Sequence, residues 1–165
     1  MKTFLLLITI SFFISCGYKP TSIYTKEVLG EKIYTEVTIS VEDPENSVLI
    51  KDAVNEAVVK QFHSELTSKE DADSFFHLTL NSVSFVPIKY DLNGYIVAYK
   101  TYIGLKTLYT DKNGNKQVIN TTGDYDFLIE SNSLISDTKR FEAIKFASQK
   151  ALDGLRSKIA IKGIK

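Results

Sequence analysis

The residue types that most often carry catalysis are scarce in this chain of 165 residues, which contains one cysteine, Cys16, and two histidines, His63 and His77. A nucleophile–base pair needs a serine or cysteine close to a histidine, and a multi-cysteine zinc site needs several cysteines. His63 follows Phe62 on a predicted helix, and His77 is out of phase with the apolar residues of a predicted strand. We therefore expect both imidazoles to face solvent.

Asp124 and Asp126 form the one notable carboxylate pair. They are two residues apart on a predicted strand, so both side chains lie on one face of a sheet. Such a pair could bind a cation or begin glycosidase chemistry. No metal-loop pattern accompanies it, and Gly94 and Gly114 fit hairpin turns better than a phosphate-binding loop. The sequence therefore predicts no enzyme, no metal site and no cofactor.

Cys16 lies where an N-terminal apolar run stops. The run Phe4–Ile14 is shorter than the roughly 20 residues that a membrane-spanning helix needs, which is typical of a secretory signal peptide. An apolar residue three positions before Cys16, and the small Ser15 directly before it, resemble the lipobox of bacterial lipoproteins. This resemblance implies a signal peptide over residues 1–15 and acylation of Cys16, with several acyl chains giving stable anchoring. An ordinary signal peptide with an incidental cysteine is the alternative.

The residues that follow Cys16 bear on location. Gly17, rather than Asp, stands next to it, which in the lipoprotein resemblance implies export to the outer membrane. The protein would then face the periplasm of a bacterium with two membranes. Residues 16–31 contain Pro20 and Gly30 among mixed polar residues, and they predict a tether between the lipid and the fold. Residues 32–165 are predicted to form one domain.

The composition is that of a single globular domain, because 44% of the residues are hydrophobic. Twenty basic residues balance twenty acidic ones, which argues against a nucleic-acid-binding protein. The exception is the segment 139–165, where eight basic residues against two acidic ones give a net charge of +6. This segment predicts either a solvated helix face or contact with an anionic surface such as phosphorylated lipid headgroups.

Hydrophobic periodicity predicts the elements that must position these residues. They are a strand over 32–41, a helix over about 45–66 with Asp43 as N-cap and Pro44 at its first position, strands from about 75, over 95–110 and over 116–129, and a helix from about 137. The order β-α-β-β-β-α predicts an α+β fold, a two-layer sandwich with two helices on one face of a roughly four-stranded, mostly antiparallel sheet.

Two irregularities and two turns are predicted within the sheet. The apolar phase changes at Asn81-Ser82, which predicts a bulge, and Pro87 predicts an edge or the end of regular pairing. The segments 91–94 and 111–115 each contain Asn-Gly, which favours the positive φ of tight hairpin turns.

The start of the mature chain, Cys16-Gly17-Tyr18-Lys19-Pro20, resembles that of the LptE family of lipopolysaccharide-assembly lipoproteins. The element order and a closing helix with Ala147, Ala151 and Leu155 on its apolar stripe agree with that resemblance. It implies a protein that plugs the lumen of the outer-membrane β-barrel LptD. Together the two proteins insert lipopolysaccharide into the outer leaflet, and LptE itself binds lipopolysaccharide.

Two sets of residues are candidates for these roles. A plug needs polar and aromatic surface, and the third predicted strand supplies a set of tyrosines for a barrel interface: Tyr95, Tyr99, Tyr102 and Tyr109. By parity Tyr102 lies on the opposite face from the other three, so some of them could instead cover the sheet beneath the helices. Contacts to lipopolysaccharide phosphates are expected at Lys100, Lys106, Lys112 and Lys116. Exposed strand lysines that prevent aggregation are the alternative.

A second function remains open at this point. Another periplasm-facing α+β lipoprotein would share the anchor and the sandwich but bind a different partner. It could serve as an adaptor of a cell-wall synthase or of an envelope transport complex.

Overall fold

The computed structural model describes residues 21–38 and 44–163. In chain order the elements are helix α1 (Thr21–Leu29), strand β1 (Lys32–Thr38), helix α2 (Pro44–Lys60), strands β2 (Glu65–Leu66), β3 (Ser74–Tyr90), β4 (Ile96–Thr110) and β5 (Lys116–Leu128), and helix α3 (Asp137–Gly163). Several predicted features lie outside the described residues: the signal peptide expected over residues 1–15, Cys16, the N-cap Asp43 and the strand residues 39–41.

The strands form one sheet in the order β2-β1-β3-β4-β5. Strands β3, β4 and β5 are antiparallel through two hairpins, whereas β1 pairs in parallel with both β2 and β3. The predicted α+β sandwich is confirmed, with a third helix, a short fifth strand and a mixed sheet as differences of detail. The parallel pairs follow from α2, because a helix between β1 and β3 carries the chain back to the same end of the sheet.

Helix α1 corrects the prediction of a tether over residues 16–31. Leu29 at its end is fully buried, and the Ser74 hydroxyl donates a hydrogen bond to the Leu29 carbonyl. Gly30 has φ 82° and its amide donates to the Lys26 carbonyl over 2.9 Å, so it terminates the helix in the left-handed conformation. The glycine that suggested a loop is therefore a helix C-cap. Residues 16–20 are outside the described part.

Helix α2 ends at Lys60, earlier than the predicted limit near residue 66. His63 adopts φ 55°, a left-handed conformation that a helix cannot continue through. Phe62 is still buried in the core, although it lies beyond the helix, and Leu66 belongs to β2. Phe62 and Leu66 have the spacing of a helix because the turn after α2 and strand β2 each direct an apolar side chain toward the same core. This spacing is the reason why the predicted helix was too long.

The predicted irregularities of β3 are confirmed. Its register against β4 shifts between Leu80 and Ser82 and again between Pro87 and Lys89. Before the first shift the even-numbered side chains face the helices, and after it the odd-numbered ones do. Both predicted hairpin turns are also present, with φ values of 83° at Gly94 and 82° at Gly114.

The core lies between the sheet and the helices. Helix α3 packs across β5, and at Gly123 the two backbones are so close that a Cβ would lie 1.9 Å from the Ala147 carbonyl oxygen. The small residues Ala147 and Ala151 on α3 allow this approach. They belong to the buried apolar stripe of that helix, which consists of Ala143, Ile144, Ala147, Ala151, Leu152, Leu155 and Ile159. None of the helices in the described ranges is long and apolar enough to span a membrane.

Candidate functional site

None of the three described helices packs on one face of the sheet, and we call this face the open face. Strand alternation places there the side chains that point away from α1, α2 and α3. Most of them are exposed or half-buried, and they mix polar, charged and aromatic types: Tyr34, Glu36, Thr38, Phe75, His77, Thr79, Ser84, Val86, Lys100, Tyr102, Lys106, Leu108, Lys116, Val118, Asn120, Thr122, Asp124 and Asp126.

Asp124 and Asp126 are part of an ion-pair network on this face. Lys100 lies opposite Asp126 across the β4–β5 pair, with 3.3 Å between its Nζ and an Asp126 oxygen, and 3.9 Å to Asp124. Lys150 of α3 reaches Asp124 over 2.7 Å. Two ammonium groups therefore neutralise two carboxylates, and the pair is not poised for general acid–base chemistry.

The pKa shifts of Lys100 and Asp124 have the same cause, which is a hydrogen bond to an oppositely charged side chain. The hydrogen bond to Asp126, and then its charge, raise the pKa of Lys100 above its ordinary value. The hydrogen bond from Lys150 lowers the pKa of Asp124 despite some burial. Each of these two shifts favours the charged form of the group, so Lys100 stays protonated and Asp124 stays ionised near neutral pH.

The four candidate lysines have different environments. Lys100 is bound in the network, so its ammonium is already compensated. Lys106 and Lys116 are exposed on the open face, and Lys112 is exposed in the turn between β4 and β5. These three make no ion pair with another described residue, and they lie toward the same end of the β4–β5 hairpin. Of the four candidates, these three therefore keep an ammonium group available to an anion.

The four candidate tyrosines also differ in their exposure and in the face of the sheet on which they lie. Tyr102 is 45% exposed on the open face, on the opposite side of β4 from Tyr99, as parity predicted. Tyr99 is half-buried and stacks on Phe127 at 6.0 Å between ring centroids. Tyr95 is exposed just before β4.

Tyr109 does not fit the predicted barrel interface. Its exposed fraction is 0%, and its ring packs edge-on against Phe76, with 6.2 Å between the centroids. It is a core residue beneath the helices, which was the alternative that strand parity allowed.

A third group on the open face could not be recognised from the sequence. His77 Nε2 lies 2.9 Å from the Thr38 hydroxyl, and His77 Nδ1 lies 3.3 Å from a Glu36 carboxylate oxygen. The surface position predicted for His77 holds, but these partners arise from the parallel pairing of β1 with β3. Within residues 21–38 and 44–163, no group of three or more histidine, cysteine, aspartate and glutamate side chains is placed to hold a metal ion.

The basic C-terminal segment mostly makes contacts within the chain. Lys145 pairs with Glu56 of α2 at 3.3 Å. Lys158 donates to the Asn120 carbonyl of β5 over 2.7 Å, so it covers the free edge of the sheet. Arg156 donates to the Gln61 carbonyl over 3.3 Å. Together with the Lys150 contact, these bonds favour the structural interpretation of this segment over contact with an anionic surface.

Solved structures with a similar fold include two bacterial lipoproteins. A putative lipoprotein from Caulobacter crescentus has 10% sequence identity and a TM-score of 0.53, covering 87% of this chain and 96% of its own. An uncharacterized lipoprotein B from Nitrosomonas europaea has 11% identity and a TM-score of 0.51, covering 89% of this chain and 92% of its own. At these identities the likeness concerns the fold.

No curated protein sequence matches this chain. The family model described as "LptE: Lipopolysaccharide-assembly" matches residues 34–159, which include β1 through most of α3. The match therefore rests on the folded domain and is independent of the segment that begins at Cys16. It covers well over half of the chain, and we conclude that the protein belongs to the LptE family of lipopolysaccharide-assembly lipoproteins.

Proposed function

We propose that this protein is a non-catalytic lipoprotein of the outer membrane, anchored on the periplasmic side by acylated Cys16. It acts there as plug and assembly partner of an LptD-like β-barrel that inserts lipopolysaccharide. Membership of the LptE family supports the assembly role, since members of this family associate with LptD. The barrel partner, the outer-membrane location and the acylation of Cys16 are the steps that need direct tests.

The open face is the observation that carries this proposal. The lumen of a transmembrane β-barrel is polar, so a plug must present polar and aromatic side chains to it instead of a continuous apolar surface. The open face has this character, with Tyr102 between Ser84 and Asp124 and with Lys106 between Thr79 and Asn120 across the strands. Tyrosine suits an interface that is partly wet because its ring packs while its hydroxyl stays hydrated.

The unpaired lysines of the β4–β5 hairpin supply a place for the anionic part of lipopolysaccharide. An exposed ammonium attracts a phosphate without requiring a fixed geometry. We propose Lys106, Lys112 and Lys116 for this contact and leave Lys100 out, because its charge is compensated by Asp126.

Co-purification tests the partner. The tagged chain is extracted from membranes in mild detergent, and the proteins that accompany it are identified by mass spectrometry. A large β-barrel in roughly equal amount supports the proposal. A cell-wall synthase or transport ATPase without a barrel would contradict it and support the adaptor function instead.

Site-specific crosslinking tests the contact surface. A photoreactive amino acid at Tyr102 should crosslink to the barrel, because this side chain is exposed on the open face. Val59 is the matched control, since it is 55% exposed but lies on α2 in the helical layer. Stronger crosslinking from position 59 than from position 102 would show that the helices make the principal contact.

Substitution of Cys16 tests the anchor. Cys16→Ala should prevent incorporation of labelled fatty acid and release the chain from the outer-membrane fraction, because the thiol is the acceptor of the diacylglycerol. A Cys16→Ala chain that is still labelled and still fractionates with that membrane would contradict acylation at this residue.

A further inference from the structure

A cavity lies between helix α1, the end of the β4–β5 hairpin and the last turn of α3, and we call it the α1–α3 cavity. Its volume is about 510 Å³, within the usual range of small-molecule sites. Most of the residues that line it are polar, and they come from both helices and from the hairpin: Glu27, Val28, Tyr109, Asp111, Asn113, Gln117 and Lys162. A cavity of this kind can hold a small polar ligand by charge and hydrogen bonds.

The Tyr109 hydroxyl is the group in this cavity that the fold leaves without a partner. The residue has an exposed fraction of 0%, and its hydroxyl makes no hydrogen bond within the described part of the chain. Burial, and then the charge of Asp111, raise the pKa of this phenol, so it stays protonated and offers a donor. The exposed Lys162 lies over the ring, with 5.8 Å between its Nζ and the ring centroid, and this flexible side chain can move aside. A buried hydroxyl without a partner is costly, so a ligand that accepts its hydrogen bond gains affinity.

The cavity carries charges of both signs that the fold leaves partly unmatched. Glu27 and Lys162 make no ion pair with another described residue. One oxygen of the Asp111 carboxylate accepts two hydrogen bonds and the other accepts one, so the second oxygen keeps a lone pair. Two carboxylates and one ammonium give these residues a net charge of −1, which disfavours a purely anionic ligand. A purely cationic ligand would leave the Tyr109 and Lys162 donors unmatched.

We propose that the α1–α3 cavity binds a phosphoethanolamine group, in which a primary ammonium and a phosphate are joined by two carbon atoms. The ammonium of the ligand donates to the carboxylates of Asp111 and Glu27. Its phosphate oxygens accept from the Tyr109 hydroxyl and the Lys162 ammonium. A trimethylated ammonium, as in phosphatidylcholine, has no N–H group for the carboxylates, so the cavity selects the primary amine.

The position of the cavity favours a lipid headgroup as the source, a step that rests on the proposed anchor at Cys16. The segment from Cys16 to Thr21 spans at most about 18 Å when fully extended, and the helix from Thr21 to Glu27 adds about 9 Å. Acylation therefore holds the cavity within about 27 Å of the bilayer surface, where headgroups have a high effective concentration. The opposite end of the sheet remains free to occupy a barrel. A soluble phosphoethanolamine ester has the same chemistry and is the other source.

Native mass spectrometry of the full chain, purified from membranes in mild detergent, tests the binding. Phosphatidylethanolamine, phosphatidylcholine and phosphatidylglycerol with identical acyl chains are added separately at equal concentration. We expect phosphatidylethanolamine to reach a several-fold higher occupancy, because phosphatidylcholine cannot donate to the carboxylates and phosphatidylglycerol has no positive charge. Equal occupancy by the three lipids would overturn the proposal, since the acyl chains alone would then account for binding.

A pair of double variants locates the site. Glu27→Gln with Lys162→Gln should reduce the occupancy by phosphatidylethanolamine several-fold, and both residues are exposed, so the fold should be kept. The matched control is Glu70→Gln with Lys139→Gln, which removes the same two charges at exposed positions outside the cavity. Occupancy that is the same in the two double variants would contradict binding in the α1–α3 cavity.

Tyr109→Phe separates ligand binding from packing, because it removes the hydroxyl and keeps the buried ring. It should lower the occupancy several-fold without lowering the stability measured by urea denaturation, since the hydroxyl has no partner in the fold. Reduced stability with unchanged occupancy would show that the hydroxyl has only a structural role and would refute its contact with the phosphate.

Glycerophosphoethanolamine, the headgroup without acyl chains, distinguishes the two sources of the ligand. Displacement of the lipid at equal concentration would identify a soluble ester as the ligand, whereas displacement only at large excess would identify the membrane lipid. Both results support the cavity as a phosphoethanolamine site, and no displacement at any concentration would overturn it. The barrel is absent from these measurements, so their failure and the failure of the proposed partner are distinguishable.

Discussion

At the level of single residues, the closest approach in the fold is at Gly123. A methyl group there would lie 1.9 Å from the Ala147 carbonyl oxygen and 2.6 Å from the Ala151 amide nitrogen, so α3 would have to move away from β5. Backbone atoms cannot yield as the end of a flexible side chain can. The position therefore requires glycine for space, although its strand conformation would suit other residues.

We expect Gly123→Ala to destabilise the protein by about 3 kcal/mol, since forced overpacking costs about 1–3 kcal/mol and here it displaces a helix. The control is Gly154→Ala in α3, where the nearest atom to a new Cβ is the Thr121 Cγ2 at 3.7 Å, an ordinary contact. Alanine there should stabilise the helix by about 0.5–1 kcal/mol. Urea denaturation measures both, and equal effects of the two substitutions would refute the packing argument.

A second residue-level feature is the buried carboxylate of Asp111. Burial by itself raises the pKa of Asp111. Hydrogen bonds from the Asn115 side chain and from the amides of Asn115 and Asn113 more than offset this effect, so the pKa in the folded protein is below its ordinary value of 3.8. A lowered folded-state pKa contributes stability that is present above the unfolded-state value. This stability is lost as the pH falls through the lower, folded-state value.

Asp111→Asn should therefore lower stability at neutral pH by about 1–3 kcal/mol, because the hydrogen bonds lose their charged acceptor. It should also reduce the loss of stability that we expect of the natural protein below about pH 4, since the titrating group is gone. Urea denaturation at several pH values measures both effects. Asp52→Asn, at an exposed position of α2, is the control. An unchanged pH profile in the Asp111 variant would contradict this account.

At the level of elements, α1 extends the domain toward the N-terminus. The helix has nine residues and a weak amphipathic pattern, so its sequence does not signal that it is packed. Its position is fixed by contacts with distant parts of the chain. Leu29 enters the main core, and the Val28 carbonyl accepts a hydrogen bond from the Lys112 amide in the turn between β4 and β5. The helix thereby connects the segment near the proposed anchor to the hairpin that carries the candidate lysines.

If α1 is part of the fold, Leu29→Ala should cost about 2–5 kcal/mol, the usual range for a fully buried leucine. Ile23→Ala on the same helix should have a much smaller effect, because Ile23 is 41% exposed. Chemical denaturation followed by circular dichroism compares the two variants. A tether without tertiary contacts would make both substitutions nearly neutral, and that result would restore the original prediction for this segment.

The whole molecule has two chemically different ends. The three unpaired candidate lysines lie toward the turn between β4 and β5, and exposed apolar side chains such as Leu92 and Leu134 lie beyond the other end of β4. Between them the open face carries compensated charges and aromatic rings. A protein with this distribution can contact an anionic group at one end and an apolar surface at the other.

The charge distribution leads to a binding prediction. Changing Lys106, Lys112 and Lys116 together to glutamine should weaken binding of lipopolysaccharide by about tenfold or more, since each lysine near an anionic lipid surface contributes about 1 kcal/mol. Added salt should reduce the difference between the variant and the natural chain. Changing the exposed Lys51 and Lys69 to glutamine is the control. Equal affinities of all three proteins would remove the hairpin lysines from the lipopolysaccharide contact.

The sequence by itself determined the features that depend on neighbouring residues. Asn-Gly specified both hairpin turns, and the change of apolar phase at Asn81-Ser82 specified the bulge. The apolar stripe of α3 and the overall α+β order were also readable, because alternation and helical spacing are local properties. The resemblance to the family could be recognised for the same reason, since it follows from the order of such elements and from the segment that begins at Cys16.

Only the tertiary structure decided which candidate residues are available to a partner. Parity placed Tyr99 and Tyr109 on one face, but it could not show that Tyr109 is enclosed while Tyr99 lies at the margin. Nor could the sequence show that Lys100 is bound by the carboxylates of β5, whereas Lys106 remains free. Burial and ion pairing depend on which distant elements meet, and a linear pattern does not contain that information. The same limit hid the packing of α1, which rests on contacts with residues more than forty positions away.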